Sequence, residues 1–384
     1  MFNGYCLLWI NWLHYWGWQL RHLWAGFQWG TLRNVLMLVI GLPLVLLLLH
    51  LHWFFLLVDE LVFVGYRRVV VSKPVFIVGV PRSGTTFLQR TLGDDSQFTT
   101  TTLQECLLTP AISQRFLARA LGKVAAPFLG LGKRLLAGKR SGFSQKMDDV
   151  HPLGLGEAEE DFLLLLPVLG CFIQMVVFPQ HAKTWRLGFF DEQISEWQKR
   201  ATLGFYQAMV QRHLYFHGQD KTYLAKNPSF TSMIGSLKQV FPDATIVACV
   251  RTPAQALPSQ IRSLAPAFEL LGHDVHSAEF TQRITALLAH YYREIERWAA
   301  AGNTLYVLEF GELTEQLLAC IHSLYRHAGL ALTPALDARY QQLAQQNKQF
   351  RSQQYSAGNG TQESFQHLWP LSGSSRLIGS TEIV

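Results

Sequence analysis

The stretch Pro74 to Arg90, PVFIVGVPRSGTTFLQR, ends an apolar run on Gly79 and follows it with Arg82, Ser83, Gly84, Thr85 and Thr86. Two glycines let the backbone turn tightly. Successive N–H groups then point into one concavity at the positive end of the following helix. The two Thr add hydroxyl donors at the helix start, and Arg82 adds a planar guanidinium suited to two oxygens of an anion. This is phosphate-binding chemistry. A loop that holds a nucleoside triphosphate needs Lys on the β- and γ-phosphates and an acid for Mg²⁺. Thr85 stands where that Lys would be, and no strand ends on an Asp placed for a metal. The loop therefore reads as a cradle for an anionic 5′ group that needs no metal.

Such a loop must sit at the end of a strand. Short apolar runs rich in β-branched or aromatic residues predict strands at Pro74–Val80, Thr222–Lys226, Thr245–Val250 and Thr304–Phe310. Helical patterns lie between them. Thr85–Leu92 opens one helix, Glu192–His217 is a long one, and Ser277–Ala301 is another. The fold class expected is α/β, with a P-loop-like parallel sheet flanked by helices. The tail from Gln349 is rich in Ser, Gln and Gly and reads as loop.

The 384 residues suffice for one large domain or two modest ones. Charged residues make up 16% and hydrophobic residues 49%, which is apolar for a soluble enzyme. Much of the excess is N-terminal. Leu38 to Val58, LVIGLPLVLLLLHLHWFFLLV, carries no charge and has the roughly 20 residues that cross a bilayer. It predicts a membrane helix or hairpin, and the Trp-rich stretch before it suits the interface. Arg67, Arg68 and Lys73 follow the span, which favours its C-terminal side as cytoplasmic. Residues 115–140 hold seven Lys or Arg and no acid, a pattern for either a lipid-touching amphipathic helix or a solvated hairpin. The net charge of +6 fits an anionic partner without choosing one. Five scattered Cys without a CxxC pair argue against a disulfide framework, and the spacing of His50 and His52 has no ligand partner nearby in sequence.

VPRSGTT closely resembles the 5′-phosphosulfate loop of sulfotransferases that use 3′-phosphoadenosine-5′-phosphosulfate (PAPS). Tyr223 to Ser263, YLAKNPSFTSMIGSLKQVFPDATIVACVRTPAQALPSQIRS, resembles that family's 3′-phosphate module, with Arg251, Pro253 and Ser259 in its places. The spacing has a physical sense. Arg251 leaves the C-terminal end of a strand, where open α/β sheets bind ligands. Pro253 suits a helix start. Ser259, about two turns on, faces the same anion. Pro258 predicts an early bend in that helix. The resemblance runs from about Lys73 to Leu330, through LYVLEFGELTEQLLACIHSLYRHAGL, and implies the sulfotransferase fold. The apolar run marks residues 1–70 as a membrane-anchoring segment, and the resemblance implies residues 71–384 as a sulfotransferase domain. It also implies PAPS as co-substrate, Arg82, Ser83, Gly84, Thr85, Thr86, Arg251 and Ser259 as its ligands, and no metal.

The reaction moves SO₃ in line from a phosphate oxygen to a hydroxyl or amine, and needs a cation, a base and loop donors. Arg82 is the expected cation, with Lys226, at the end of YLAK, a second candidate. In related families a Glu at the position of Glu105 ends the second strand and faces the sulfate, which makes Glu105 the candidate base. The segment HPLGLGEAEEDF resembles a family block with an acidic pair and offers His151, Glu157, Glu159 and Glu160. On a helix, Glu157 would share a face with Glu160 and with Asp161. The same acids also suit a helix N-terminus. The acceptor is a lipid, glycan or small molecule handled at a membrane; no nucleic-acid partner is expected. Two rival readings are a kinase-like nucleotide enzyme and a non-catalytic membrane protein on a nucleotide fold.

Overall fold

The computed structural model describes residues 1–24, 35–121, 156–301, 305–354 and 377–378. The chain forms two compact units. The first comprises Met1–Val70, Thr101–Leu187 and Ile194–Gln219; the second comprises Val71–Thr100, Gly188–Gln193 and Asp220–Val384. In chain order the main helices are α1 (Phe2–Trp24), α2 (Met37–Val62), α3 (Thr85–Gly93), α4 (Leu103–Leu107), α5 (Phe190–Gln193), α6 (Glu196–His217), α7 (Ile234–Val240), α8 (Pro253–Leu270), α9 (Ala278–Ala300), α10 (Leu317–Ala328) and α11 (Pro334–Gln354).

Within the second unit, six strands among the described residues form one sheet. They are β1 (Val75–Gly79), β2 (Phe98–Thr99), β3 (Thr222–Lys226), β4 (Thr245–Val250), β5 (Leu305–Glu309) and β6 (Leu377–Ile378), in the order β2-β3-β1-β4-β5-β6. The first five strands run parallel, and β6 joins the β5 edge antiparallel. The α/β expectation holds. Each parallel crossover needs a helix, so strands covered on both faces are apolar throughout. Alternate residues Val75, Ile77, Leu224, Val247, Tyr306 and Leu308 meet Leu88 and Leu92 of α3 in one core. On the other face, Phe76 packs against Phe241 with centroids 5.4 Å apart. Burying a Leu side chain of this kind stabilises by roughly 1.5–3 kcal/mol.

Gly79 has φ +120°, and a Cβ there would lie 2.0 Å from the carbonyl oxygen of Cys249. Residue 79 pairs with Cys249 in register, and Val80 N donates to the same oxygen at 2.9 Å. Only glycine lets β1 leave the sheet so close to β4.

The first unit is helical. α1 packs on it through Tyr5, whose ring lies 5.2 Å from that of Trp53 of α2, and through Asn11, which donates to the Val168 carbonyl at 2.9 Å. α2 is, among the described residues, the helix long and apolar enough to cross a bilayer. It has two different stripes. Leu49, His52, Trp53, Leu56 and Asp59 are buried, whereas Leu44, Leu47, Leu51, Phe54, Leu57 and Leu61 are exposed and wholly apolar. The polar residues lie on the protein side. Asp59 accepts from the N–H groups of Ile112 and Ser113 at 2.8 and 2.9 Å and pairs with the fully buried Arg212 of α6 at 3.2 Å. Arg212 also reaches Glu60 at 2.6 Å and stacks 3.9 Å from the Tyr66 ring. His52 bonds Gln114 at 3.0 Å, and His50 bonds the Leu46 carbonyl at 2.8 Å.

Three sequence expectations need correction. The long helix from Glu192 is broken, because Ser195 caps a new start by accepting from Gln198 N at 3.4 Å. Helix α8 is continuous through Pro258 and Pro266. The tail is not loop from Gln349, since α11 continues to Gln354 and β6 follows. Glu157, Glu159 and Glu160 are not helical; Ala158 forms an antiparallel bridge with Thr102, and a 3₁₀ turn begins only at Asp161. His151 and most of the basic stretch 115–140 lie outside the described residues, while residues 112–121 are helical.

Candidate functional site

In the second unit the glycine-rich turn follows β1 as expected. Gly84 is the N-cap of α3 with φ +88°, and Arg82 also takes a left-handed φ of +66°. The αL geometry at Arg82 and Gly84 turns consecutive N–H groups to one side, at the positive end of α3. A Cβ at Gly84 would lie 2.9 Å from Leu313 and 3.2 Å from Phe310, so the turn lies tight under the segment after β5. The Ser83 hydroxyl is turned inward, to the carbonyls of Val80 at 2.5 Å and Cys249 at 2.9 Å. It locks the turn. Thr231 performs a similar task for Gly79, donating to its carbonyl at 2.8 Å and accepting from its N–H at 2.7 Å. Thr85 is buried and Thr86 half-buried.

The two anion motifs meet. Arg82 Nε donates to Ser259 Oγ at 3.3 Å, and Arg251 Nη1 donates to the Arg82 carbonyl at 3.2 Å. β1 and β4 are sheet neighbours, so the turn after one and the start of α8 after the other open on the same edge. The Arg251 guanidinium lies 4.5 Å above the Phe310 ring and reaches Gln255 at 3.1 Å, while its carbonyl accepts from the Tyr292 hydroxyl. Lys226 ends β3 next to β1 and is 1% exposed, so it is not a surface lysine. Tyr292, Phe310 and Thr231 had no signal in the sequence, because each acts only through a long-range contact.

Glu105 belongs to the first unit. It is not at a strand end: β2 stops at Thr99, and Glu105 is the third residue of α4. Thr102 and Glu105 form a capping box. The Thr102 hydroxyl accepts from Glu105 N at 3.3 Å, and the Glu105 carboxylate accepts from Thr102 N at 3.1 Å. The other carboxylate oxygen meets His217 Nε2 at 2.5 Å and Arg115 Nη1 at 3.6 Å, with His213 Nδ1 3.7 Å from the carboxylate. His213 and His217 lie one turn apart on α6 with rings stacked 4.4 Å apart. Burial raises the Glu105 carboxyl. The His217 hydrogen bond and the charges of Arg115, His213 and His217 outweigh this and hold it well below the usual carboxylate range. Glu105 is therefore a firmly ionised acceptor and a poor proton acceptor. His217, whose side chain is 29% exposed, is the more open histidine of the cluster. Glu105, His213 and His217 are close enough to suggest a metal triad, but Arg115 Nη1 also lies 3.5 Å from His213 Nδ1. A buried guanidinium at that point repels a cation. The spacing His213-Leu-Tyr-Phe-His217 at a helix end, with the Thr102-x-x-Glu105 box, was the available sequence signal for this cluster.

Residues 74–334 match the family model described as "Sulfotransferase family", which is more than half of the chain. The chain belongs to the sulfotransferase family. It is also similar to the omega-hydroxy-beta-dihydromenaquinone-9 sulfotransferases Stf3 of Mycobacterium bovis and Mycobacterium tuberculosis, each 26% identical over 273 residues, or 69% of this chain. The match spans 64% of the length of those relatives. Among solved structures, sulfotransferase STF9 from Mycobacterium avium shares the fold with a TM-score of 0.59 at 17% identity, covering 78% of this chain and 72% of that one. Sulfotransferase STF1 from Mycobacterium tuberculosis H37Rv does so with a TM-score of 0.52 at 18% identity, covering 74% and 78%. The sulfotransferase fold expected from VPRSGTT is thus the fold of this chain. Family membership implies a sulfuryl donor.

Proposed function

We propose that this protein transfers a sulfuryl group from PAPS to a hydroxyl of a membrane lipid. The observation that carries the reading is the meeting of Arg82, Arg251 and Ser259 beside the turn after β1. In this reading the N–H groups of residues 82–86 and the Thr85 and Thr86 hydroxyls take the 5′-phosphosulfate. Arg251 and Ser259 take the 3′-phosphate. Arg82 and Lys226 are the cations that balance charge on the leaving phosphate as the S–O bond breaks.

His217, with Glu105 behind it, is assigned the role of base. In the neutral ring Nε2–H donates to Glu105, and Nδ1 receives the acceptor proton as the acceptor oxygen bonds to sulfur. Glu105 then stabilises the imidazolium. The products are a sulfate ester and adenosine 3′,5′-bisphosphate, and no metal takes part. Glu105 alone as base fits the site less well, because its carboxyl is held ionised by three cationic or donor neighbours.

The lipid acceptor is supported by the names of the Stf3 relatives, which act on a menaquinone derivative, and by the apolar outer stripe of α2. Residues 1–70 are proposed as the membrane anchor, with the protein-facing stripe of α2 on the first unit and the other stripe in acyl chains. The catalytic part is proposed on the cytoplasmic side, from Arg67, Arg68 and Lys73 after the span.

Calorimetry with adenosine 3′,5′-bisphosphate tests the donor site. Binding to the intact protein that is lost in Arg251→Ala is expected. Binding of Mg²⁺–ATP with none of the bisphosphate would overturn the reading in favour of a kinase-like enzyme. Incubation of a membrane lipid extract with labelled PAPS tests the acceptor, and label confined to non-lipid fractions would refute a lipid.

A further inference from the structure

The second unit holds another cluster, unrelated to the sulfuryl-transfer reading. His290 and Glu294 lie one turn apart on α9, and Glu192 of α5 faces them. One ligand atom from each residue lies within 4.8 Å of the other two. His290 is 1% exposed, and neither ring nitrogen has a hydrogen-bond partner. An imidazole buried without partners loses the hydrogen bonds it makes in water and gains none, which costs about 1–3 kcal/mol per group. Nδ1 points toward Glu192 Oε1 at 3.7 Å, too far for a hydrogen bond. Two ligand atoms bound at about 2.1 Å to one tetrahedral ion lie roughly 3.4 Å apart. The observed gap is thus close to the separation that an ion between them would impose.

We propose that Glu192, His290 and Glu294 bind one divalent transition-metal ion. The donor set of one imidazole and two carboxylates suits Zn²⁺ or Mn²⁺ and is wrong for Mg²⁺ or Ca²⁺, which take oxygen ligands. Glu294 is 3% exposed and holds Arg297 at its carboxylate. Arg297, at 58% side-chain exposure, can turn to solvent when the ion binds. Asp191 is already committed to Ser236, so Glu192 is the acid of α5 left to bind.

The ion would act as a staple. It would fasten the strap of residues 188–193 to α9, where Phe189 already rests on the His290 ring at 4.6 Å. Tyr292, which holds the Arg251 carbonyl, is about 200° around the helix from His290, so the staple and the anion edge use opposite faces of α9.

The test is calorimetric titration of Zn²⁺, and separately Mn²⁺, into the chelator-treated full chain, with Tm followed in parallel. About one equivalent of Zn²⁺ is expected, with Tm raised by about 5 °C at saturation. Glu192→Gln, on a half-exposed position that the fold does not need, should weaken binding at least tenfold, and His290→Ala should abolish it. His217→Asn should leave it unchanged. No uptake of either ion by the folded wild type would overturn the proposal. So would uptake that survives Glu192→Gln but is lost in His217→Asn, which would place the ion beside Glu105.

Discussion

Comparing Glu105→Gln with His217→Asn separates the two roles in the proposed base. Gln keeps the size of Glu105 and an oxygen to cap Thr102, but removes the charge. Arg115, 2% exposed, then loses a carboxylate 3.6 Å away that is itself 10% exposed. At an effective dielectric near 20 that attraction is worth about 4–5 kcal/mol. Arg115 keeps the Thr109 carbonyl at 3.1 Å, so a net loss of about 2–3 kcal/mol of stability is expected. His217 sits at the helix end and is partly exposed, so Asn there should cost under about 1 kcal/mol. Turnover should fall about 100-fold or more in both. Denaturant unfolding in detergent and turnover of labelled PAPS read the two effects. The pH dependence gives a second check. The folded Glu105 carboxyl is depressed, so its stabilisation is complete above the unfolded value near 4.3 and fades as pH falls through the folded value. The wild type should therefore lose more stability than Glu105→Gln on going from pH 5 to pH 3 (~2 units). His217→Asn turning over within threefold of wild type would refute the assignment of the base.

Gly79→Ala should prevent folding of the second unit, because the new Cβ would meet the Cys249 carbonyl at 2.0 Å with φ at +120°; circular dichroism of the purified variant would show it. Arg212→Met strands Asp59 in a fully buried position and should cost about 3–5 kcal/mol, read by denaturant unfolding. Leu47→Glu and Leu51→Glu together, on the exposed stripe of α2, should leave the fold intact and weaken sedimentation with lipid vesicles more than tenfold.

The strands were legible because a sheet covered on both faces demands unbroken apolar runs, and Thr222–Lys226 and Thr245–Val250 match their predicted bounds. The two-residue strands β2 and β6 carry too few side chains to leave such a signature. Helix α8 runs on through Pro258, with Ala256 and Phe268 buried along it. The anion loop was readable because its chemistry is contiguous in sequence. The surroundings of Glu105 were not, since Arg115, His213 and His217 reach it from other helices, and the sequence does not state which helix faces pair. The capping box Thr102-x-x-Glu105 was local and could have placed Glu105 on a helix from the start.

Arg251 is fixed before any nucleotide arrives. Phe310 supports one face of its guanidinium, Gln255 and the Arg82 carbonyl take two of its edges, and Tyr292 pins its backbone. A free arginine has about 2 kcal/mol of rotamer entropy to lose on capturing an anion. Much of that loss has already occurred here during folding, so binding is preorganised. Substitutions at Phe310 or Tyr292, neither of which supplies a charge, should then weaken nucleotide affinity by slackening Arg251 and leave the salt dependence of binding as it was.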